Sequence, residues 1–162
     1  VDLAALIRAN AVRAVIDVRS VPKSRAHLHV WAERMAIWVP DLSGATYDWR
    51  RGLGGFRKAR ADSPNVALRH PSFRGYADYM QTPEFLAELR RLTDDAREVP
   101  TAIMCSETLW WRCHRRLIAD AATLLCGAEV VHLMHAGPPR PHVLTEGVRV
   151  LEEGVLQYDR PR

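Results

Sequence analysis

The stretch that most constrains the fold is Thr101-Ala-Ile-Met-Cys105-Ser-Glu107-Thr-Leu-Trp-Trp-Arg-Cys113-His114-Arg115-Arg116-Leu-Ile-Ala-Asp120. Its first residues, bounded by Pro100, are apolar or small and have the length of a buried strand. Downstream, Leu117, Ile118, Ala121, Leu124 and Leu125 recur at the spacing of one helix face, and Gly127 supplies the stop. Strand, short connection and helix in that order point to a parallel sheet with helices on its faces. In such sheets, ligands bind where the carboxyl ends of strands meet the amino ends of helices. Chemistry is therefore expected between Cys105 and Arg116.

The remaining elements fit the same class. Residues 3–9 read as a short helix and Ala11 to Arg19 as a β-branched buried strand. Trp31 to Trp38 reads as a helix closed before Pro40, with Trp31, Met35 and Trp38 on one side as core or as a stacking platform. Ala45 to Trp49 suggests a further strand. Thr82 and Pro83 open a helix with Phe85, Leu89, Leu92 and Ala96 inward. Ala128 to Leu133 reads as the next strand, and a Gly/Pro-rich loop then carries His135, Arg140 and His142. The tail from Val148 is a hairpin turning at Glu153-Gly154, or an extension without a fixed partner. The expectation is one α/β domain: a three-layer sandwich with a mostly parallel sheet flanked by helices, its body spanning 1–147 and a C-terminal extension or hairpin spanning 148–162.

Charge narrows the partner. Lysine and arginine total 23 against 19 acids, and the only lysines are Lys23 and Lys58. Arginine presents a planar donor fork that suits phosphate or carboxylate, so the partner implied is an anionic small molecule or nucleic acid; genomic bias toward arginine is the competing account. The irregular stretch from Arg50 to Gly75 concentrates arginines among Trp49, Phe56, Phe73, Tyr76 and Tyr79, a composition that suits phosphates and bases or simply a solvated loop. Leu53-Gly54-Gly55 lacks the spacing of a nucleotide fingerprint. No apolar run approaches the roughly 20 residues that span a bilayer, and the start lacks the pattern of a leader, so no membrane partner and a cytoplasmic location are expected. Three cysteines, an odd number, fit a reducing compartment better than a disulfide framework.

Within the central stretch, Cys105 sits at a strand end and Cys113 in the first turn of a helix, where amide donors stabilise a thiolate. His114, Arg112, Arg115 and Arg116 add donors and positive charge, and Glu107 could move a proton or hold an arginine. A thiolate so placed can attack an electrophile, the same helix end can hold an anion without covalent chemistry, and both thiols can equally be core. A metal reading would use Cys105, Cys113 and His114 with Glu107 or a loop histidine. Two cysteines eight positions apart lack the close-spaced ligand pairs of common zinc sites, however, and adjacent Cys113 and His114 point apart on a helix, so no metal and no cofactor are implied. Asp17 and Arg19 share a strand face near its carboxyl end. Arg116 and Asp120, four apart, are expected to pair on an exposed face.

Taken in order, Asp17-Val-Arg19-Ser-Val-Pro22-Lys-Ser24-Arg25, Leu53-Gly54-Gly55, Phe73-Arg74-Gly75-Tyr76-Ala77-Asp78-Tyr79-Met80, Met104-Cys105-Ser106-Glu107 and Cys113-His114-Arg115 resemble the motifs of the DUF488 family. The likeness runs from about Leu3 to Thr145. It implies a compact α/β domain with the motif residues gathered at one end of the sheet, and Arg19, Arg25, Tyr76, Cys105, Glu107, Cys113, His114 and Arg115 as the candidate site. Members of that family usually begin with a strand ending in a Gly-His-Ser-like turn. This chain starts after it, so a sheet lacking that first strand is expected.

The function expected is that of an enzyme-like domain acting on a phosphorylated or nucleic-acid-derived substrate. Cys105 or Cys113 would be the nucleophile, Glu107 the proton carrier, Arg19, Arg25, His114 and Arg115 the anion binders, and Tyr76 a stacking or orienting group. The alternatives are a nucleic-acid-binding module built on residues 50–74, and a redox sensor using Cys105 and Cys113.

Overall fold

The computed structural model describes residues 2–159. Val1 and the last three residues of the C-terminal segment lie outside the described residues. At the centre is a three-stranded parallel sheet in the order β2-β1-β3, with β1 at Ala14–Asp17, β2 at Thr46–Trp49 and β3 at Thr101–Met104. The β-branched run puts β1 in the middle, and all four of its residues are buried. Both neighbours run parallel to it, pairing Asp17 with Trp49 on one side and with Met104 on the other.

Alternate side chains of β1 feed two cores, as the period of a strand requires. Val15 packs with Ile7, Met35 and Val39 from α1 (Leu3–Ala9) and α2 (Ala32–Ser43), which cover one face. Ile16 and Val18 join the larger cluster on the other face, built from α3 (Pro71–Met80), α4 (Pro83–Glu98) and α5 (Arg115–Cys126). The result is the expected α/β layering, in one domain. Thr82 caps α4 as anticipated, its hydroxyl accepting from the Phe85 amide at 3.3 Å. Thr93 is buried in that helix, whereas Ala96 is exposed.

Four readings are corrected. Helix α2 does not close before Pro40 but runs through it to Ser43, ending at Gly44 with φ 73°. Trp31 is the residue before it, not part of it. The stretch read as irregular to Gly75 ends inside a helix, α3, which begins at Pro71 and runs on to Met80. The segment 128–133 does not add a strand to the parallel sheet: only β4 (Val131–His132) forms, antiparallel to β5 (Arg140–Pro141), in a separate two-stranded sheet. Arg116 and Asp120 do not pair on an exposed face. Asp120 is fully buried, and Arg116 lies over the Phe73 ring at 4.4 Å.

The tail is a hairpin of β6 (Val148–Val150) and β7 (Leu156–Tyr158), with Gly154 at φ 75° in its turn. It is docked, because Leu156 and Tyr158 belong to the larger core and the Ala67 amide donates to the Tyr158 carbonyl at 2.9 Å. Among the described residues no helix is long and apolar enough to cross a membrane.

Candidate functional site

The carboxyl ends of β1 and β3 open into a cleft of about 520 Å³, bordered by Arg19, Lys23, His27, His29, Cys105 and Ser106 among others. The loop after β1 forms one wall, and the tryptophans flanking it hold it in place. Trp31 Nε1 donates to the Ser24 carbonyl at 2.7 Å and Trp38 Nε1 to the His29 carbonyl at 2.8 Å. Lys23 Nζ lies 5.1 Å from the Trp31 ring centroid. Met35, the third member of that stripe, is core. Lys23, His27 and His29 were not singled out from the sequence. Their position just past the carboxyl end of the first strand was the signal available.

The floor of this end is a buried ion pair. Arg19 Nε donates to both Asp17 oxygens at 2.9 and 3.0 Å, and its Nη2 reaches Asp17 at 2.5 Å, the Val30 carbonyl at 2.8 Å and Met35 Sδ at 3.4 Å. Tyr47 donates its hydroxyl to the same carboxylate at 2.5 Å. Burial disfavours the Arg19 charge, but the Asp17 partner outweighs it and the guanidinium is held more firmly protonated than usual. Arg19 therefore borders the cleft with most of its donor fork already engaged.

Cys105 follows β3 directly, and Cys113 precedes α5 in extended backbone, with φ −122° and ψ 151°. His114 is the N-cap of α5. Because Cys113 is not helical, its side chain and that of His114 converge, Sγ to Nδ1 at 3.5 Å. Cys105 Sγ, Cys113 Sγ and the His114 ligand nitrogen all lie within 4.8 Å of one another. His114 Nε2 is 2.9 Å from the Val18 carbonyl, which can only accept, so Nε2 carries a proton and Nδ1 faces the sulfurs. Arg115 Nε donates to Cys113 Sγ at 3.3 Å, and its Nη2 donates to the Glu107 carbonyl.

The two thiols titrate as one unit. The neighbouring Cys113 thiol, with lesser help from His114 and the Glu107 backbone, holds Cys105 below the ordinary thiol range against the opposing effect of burial. Cys113 is pushed up, first by Cys105 and then by burial. Cys105 is half-buried and borders the cleft, while Cys113 is only 4 % exposed.

The glycine motif has a packing role. A Cβ on Gly55 would stand 3.2 Å from His114 Nδ1, and one on Gly54 only 2.8 Å from the Ser20 Cα. Ser20 Oγ donates to the Gly55 carbonyl at 2.9 Å, tying this turn to the loop after β1. Tyr76 is 1 % exposed and donates to the Leu53 carbonyl at 2.7 Å, with its ring 4.9 Å from that of His114. It supports the histidine from beneath rather than facing the cleft. Glu107 is exposed, and one of its carboxylate oxygens accepts from the Leu109 amide at 3.0 Å. Arg25 is exposed on the loop after β1 and is not among the residues that border the cleft.

Fold and site together define a single-domain α/β protein with a paired-thiol, imidazole and guanidinium cluster at the carboxyl end of its parallel sheet. The family described as "Domain of unknown function DUF488" matches residues 2–122, and the chain belongs to that family. Neither the curated proteins nor the solved structures contain a match to this chain.

Proposed function

We propose that this domain is an enzyme that acts on a phosphorylated or nucleic-acid-derived anionic substrate, with Cys105 as the attacking thiolate. The observation that carries this reading is that Cys105 belongs at once to the sulfur and imidazole cluster and to the wall of a cleft bordered by Arg19, Lys23, His27 and His29. Lys23 supplies positive charge and the imidazoles hydrogen-bonding groups for the substrate, and the cluster supplies the nucleophile. Sγ forms a bond to the electrophilic centre as the leaving group departs with its electron pair and takes a proton from solvent, and the exposed Glu107 carboxylate serves as the base for the water that follows. Water then releases the product and restores the thiolate. Arg115 and His114 hold Cys113 and Cys105 in place, and Tyr76 fixes His114. Phe56, 92 % exposed and in left-handed backbone at φ 47°, follows the Gly55 that abuts His114 and offers a ring on which a base can stack. Three free cysteines fit a reducing compartment, and the reading places the domain in the cytoplasm.

The rival, a nucleic-acid module built on residues 50–74, has fewer free cations than its sequence offers. Arg50 is buried between Asp48 and Asp95, and Arg57 lies over the Tyr79 ring at 3.6 Å. Iodoacetamide labelling of the native, metal-free chain with peptide mapping tests the enzyme reading. Cys105 should label before Cys113 and Cys126, and pyrophosphate or a nucleotide should slow it selectively. Equal labelling of all three, or labelling indifferent to anions, would remove the proposal.

A further inference from the structure

On a helix, adjacent Cys113 and His114 could not serve one ion. The fold removes that obstacle. With Cys113 extended and His114 at the N-cap, Sγ and Nδ1 lie 3.5 Å apart. That is about the edge of a tetrahedron around an ion bound at roughly 2.3 Å to sulfur and 2.0–2.1 Å to nitrogen. Cys105 Sγ supplies a third corner, all three atoms lying within 4.8 Å of one another. Closing the wider edges asks for side-chain rotation of about 1 Å.

The surroundings are those of a ligand set. The Val18 carbonyl takes His114 Nε2–H and aims the other nitrogen at the sulfurs, the arrangement by which metal-bound histidines are usually oriented. Arg115 Nε donates to Cys113 Sγ, supporting the thiolate form that a ligand must adopt. Gly55 leaves Nδ1 its room, since any Cβ there would come within 3.2 Å.

We infer that Cys105, Cys113 and His114 bind one zinc-class divalent ion, with a fourth position open to the cleft that Cys105 borders. Two thiolates balance its charge, and whatever thiol protons remain are released on binding. The inference rests on the reading above only in taking the cleft as the way in. The ion and the electrophile are alternative partners of the same sulfur, so a bound ion holds Cys105 as a ligand and silences its attack.

Cobalt(II) added to the metal-free chain tests this directly. Expected are visible ligand-field bands of a tetrahedral site and sulfur-to-cobalt charge transfer in the near ultraviolet, saturating at one equivalent and bleached by zinc. Cys105→Ser and Cys113→Ser should each abolish the charge transfer, Cys126→Ser should leave it, and Arg115→Ala should weaken binding about 10- to 100-fold. Circular dichroism reports folding. Should Cys113→Ser not fold, Cys105→Ser, at a half-buried strand end, decides alone. An octahedral cobalt spectrum in the unaltered chain, or one unchanged by Cys105→Ser, would overturn the inference. The iodoacetamide assay on metal-free protein reads the nucleophile separately, so either proposal can fail without the other.

Discussion

Asp17 carries Arg19 and the Tyr47 hydroxyl on its two oxygens, entirely out of solvent. Removing one member of a buried pair strands the other charge, which typically costs about 3–5 kcal/mol. Urea denaturation of Asp17→Ala should show a loss of that size, while Tyr47→Phe, which deletes one hydroxyl, should lose about 1–2 kcal/mol. A loss under about 1 kcal/mol for Asp17→Ala would mean that the pair is not the floor of the site. The sequence showed that Asp17 and Arg19 share a strand face, because strand periodicity is local. It did not show that Met35, Val30 and Tyr47 would enclose them, because those contacts come from α2, the turn before it and β2. For the same reason Cys105, Cys113 and His114 could be named as candidates, but not seen to converge. The convergence depends on one backbone conformation, that of Cys113, which the neighbouring helix pattern obscured.

Among the elements, α3 was the least legible. Pro71 and Gly75 fall at the end of the stretch read as irregular, yet Pro71 occupies the first helical turn, where it is tolerated. Gly75 marks a close crossing: a Cβ there would stand 2.1 Å from the Arg57 carbonyl oxygen. Backbone cannot yield as a flexible side chain can, so Gly75→Ala should destabilise by about 1–3 kcal/mol or more, measured by thermal denaturation. An unchanged melting temperature would contradict that crossing. Asp78, one helical turn on, holds the irregular segment by accepting from the Arg60 amide, the Ser63 hydroxyl and the Asn65 side chain at 2.6–2.8 Å.

The small sheet of β4 and β5 carries a chain of buried polar groups. His132 stacks on Trp110 at 3.7 Å and meets His142 at 2.9 Å, and His142 reaches Asp120 at 2.8 Å. Burial, then His142 and Arg115, lower the His132 pKa to about 4, with Asp120 opposing. The unfolded chain protonates this ring near 6.5 and the folded chain only near 4, so between those values the unfolded state binds more protons. Stability should therefore rise with pH across that window and be lost on acidification through it. In His132→Gln the slope should flatten there. An unaltered slope in denaturant midpoints would sink this assignment.

Across the whole molecule, the family match ends at residue 122 while the core continues to Tyr158. The terminal hairpin was visible from its Gly turn, but not its attachment. Tyr158 donates to Asp120 at 2.9 Å and its amide donates to the Asn65 side chain at 3.0 Å, joining hairpin, α5 and the irregular segment. Tyr158→Ala should cost about 3–5 kcal/mol and keep unfolding a single transition, as expected of one core. The layered α/β class was legible because strand and helix periodicities are written locally. The truncated fourth strand was not, since an apolar run alone does not say which sheet receives it.

The proposed function depends on the carboxyl end of β1 and β3 attracting an anion to Cys105. Soaking crystals of the chain with tungstate, whose metal scatters anomalously, would locate that anion without reference to any substrate. A peak in the cleft within reach of Lys23, His27 or His29 and adjacent to Cys105 is the predicted result. Peaks confined to the outer face around Arg51, Lys58 and Arg69, with the cleft empty at saturating tungstate, would contradict the account.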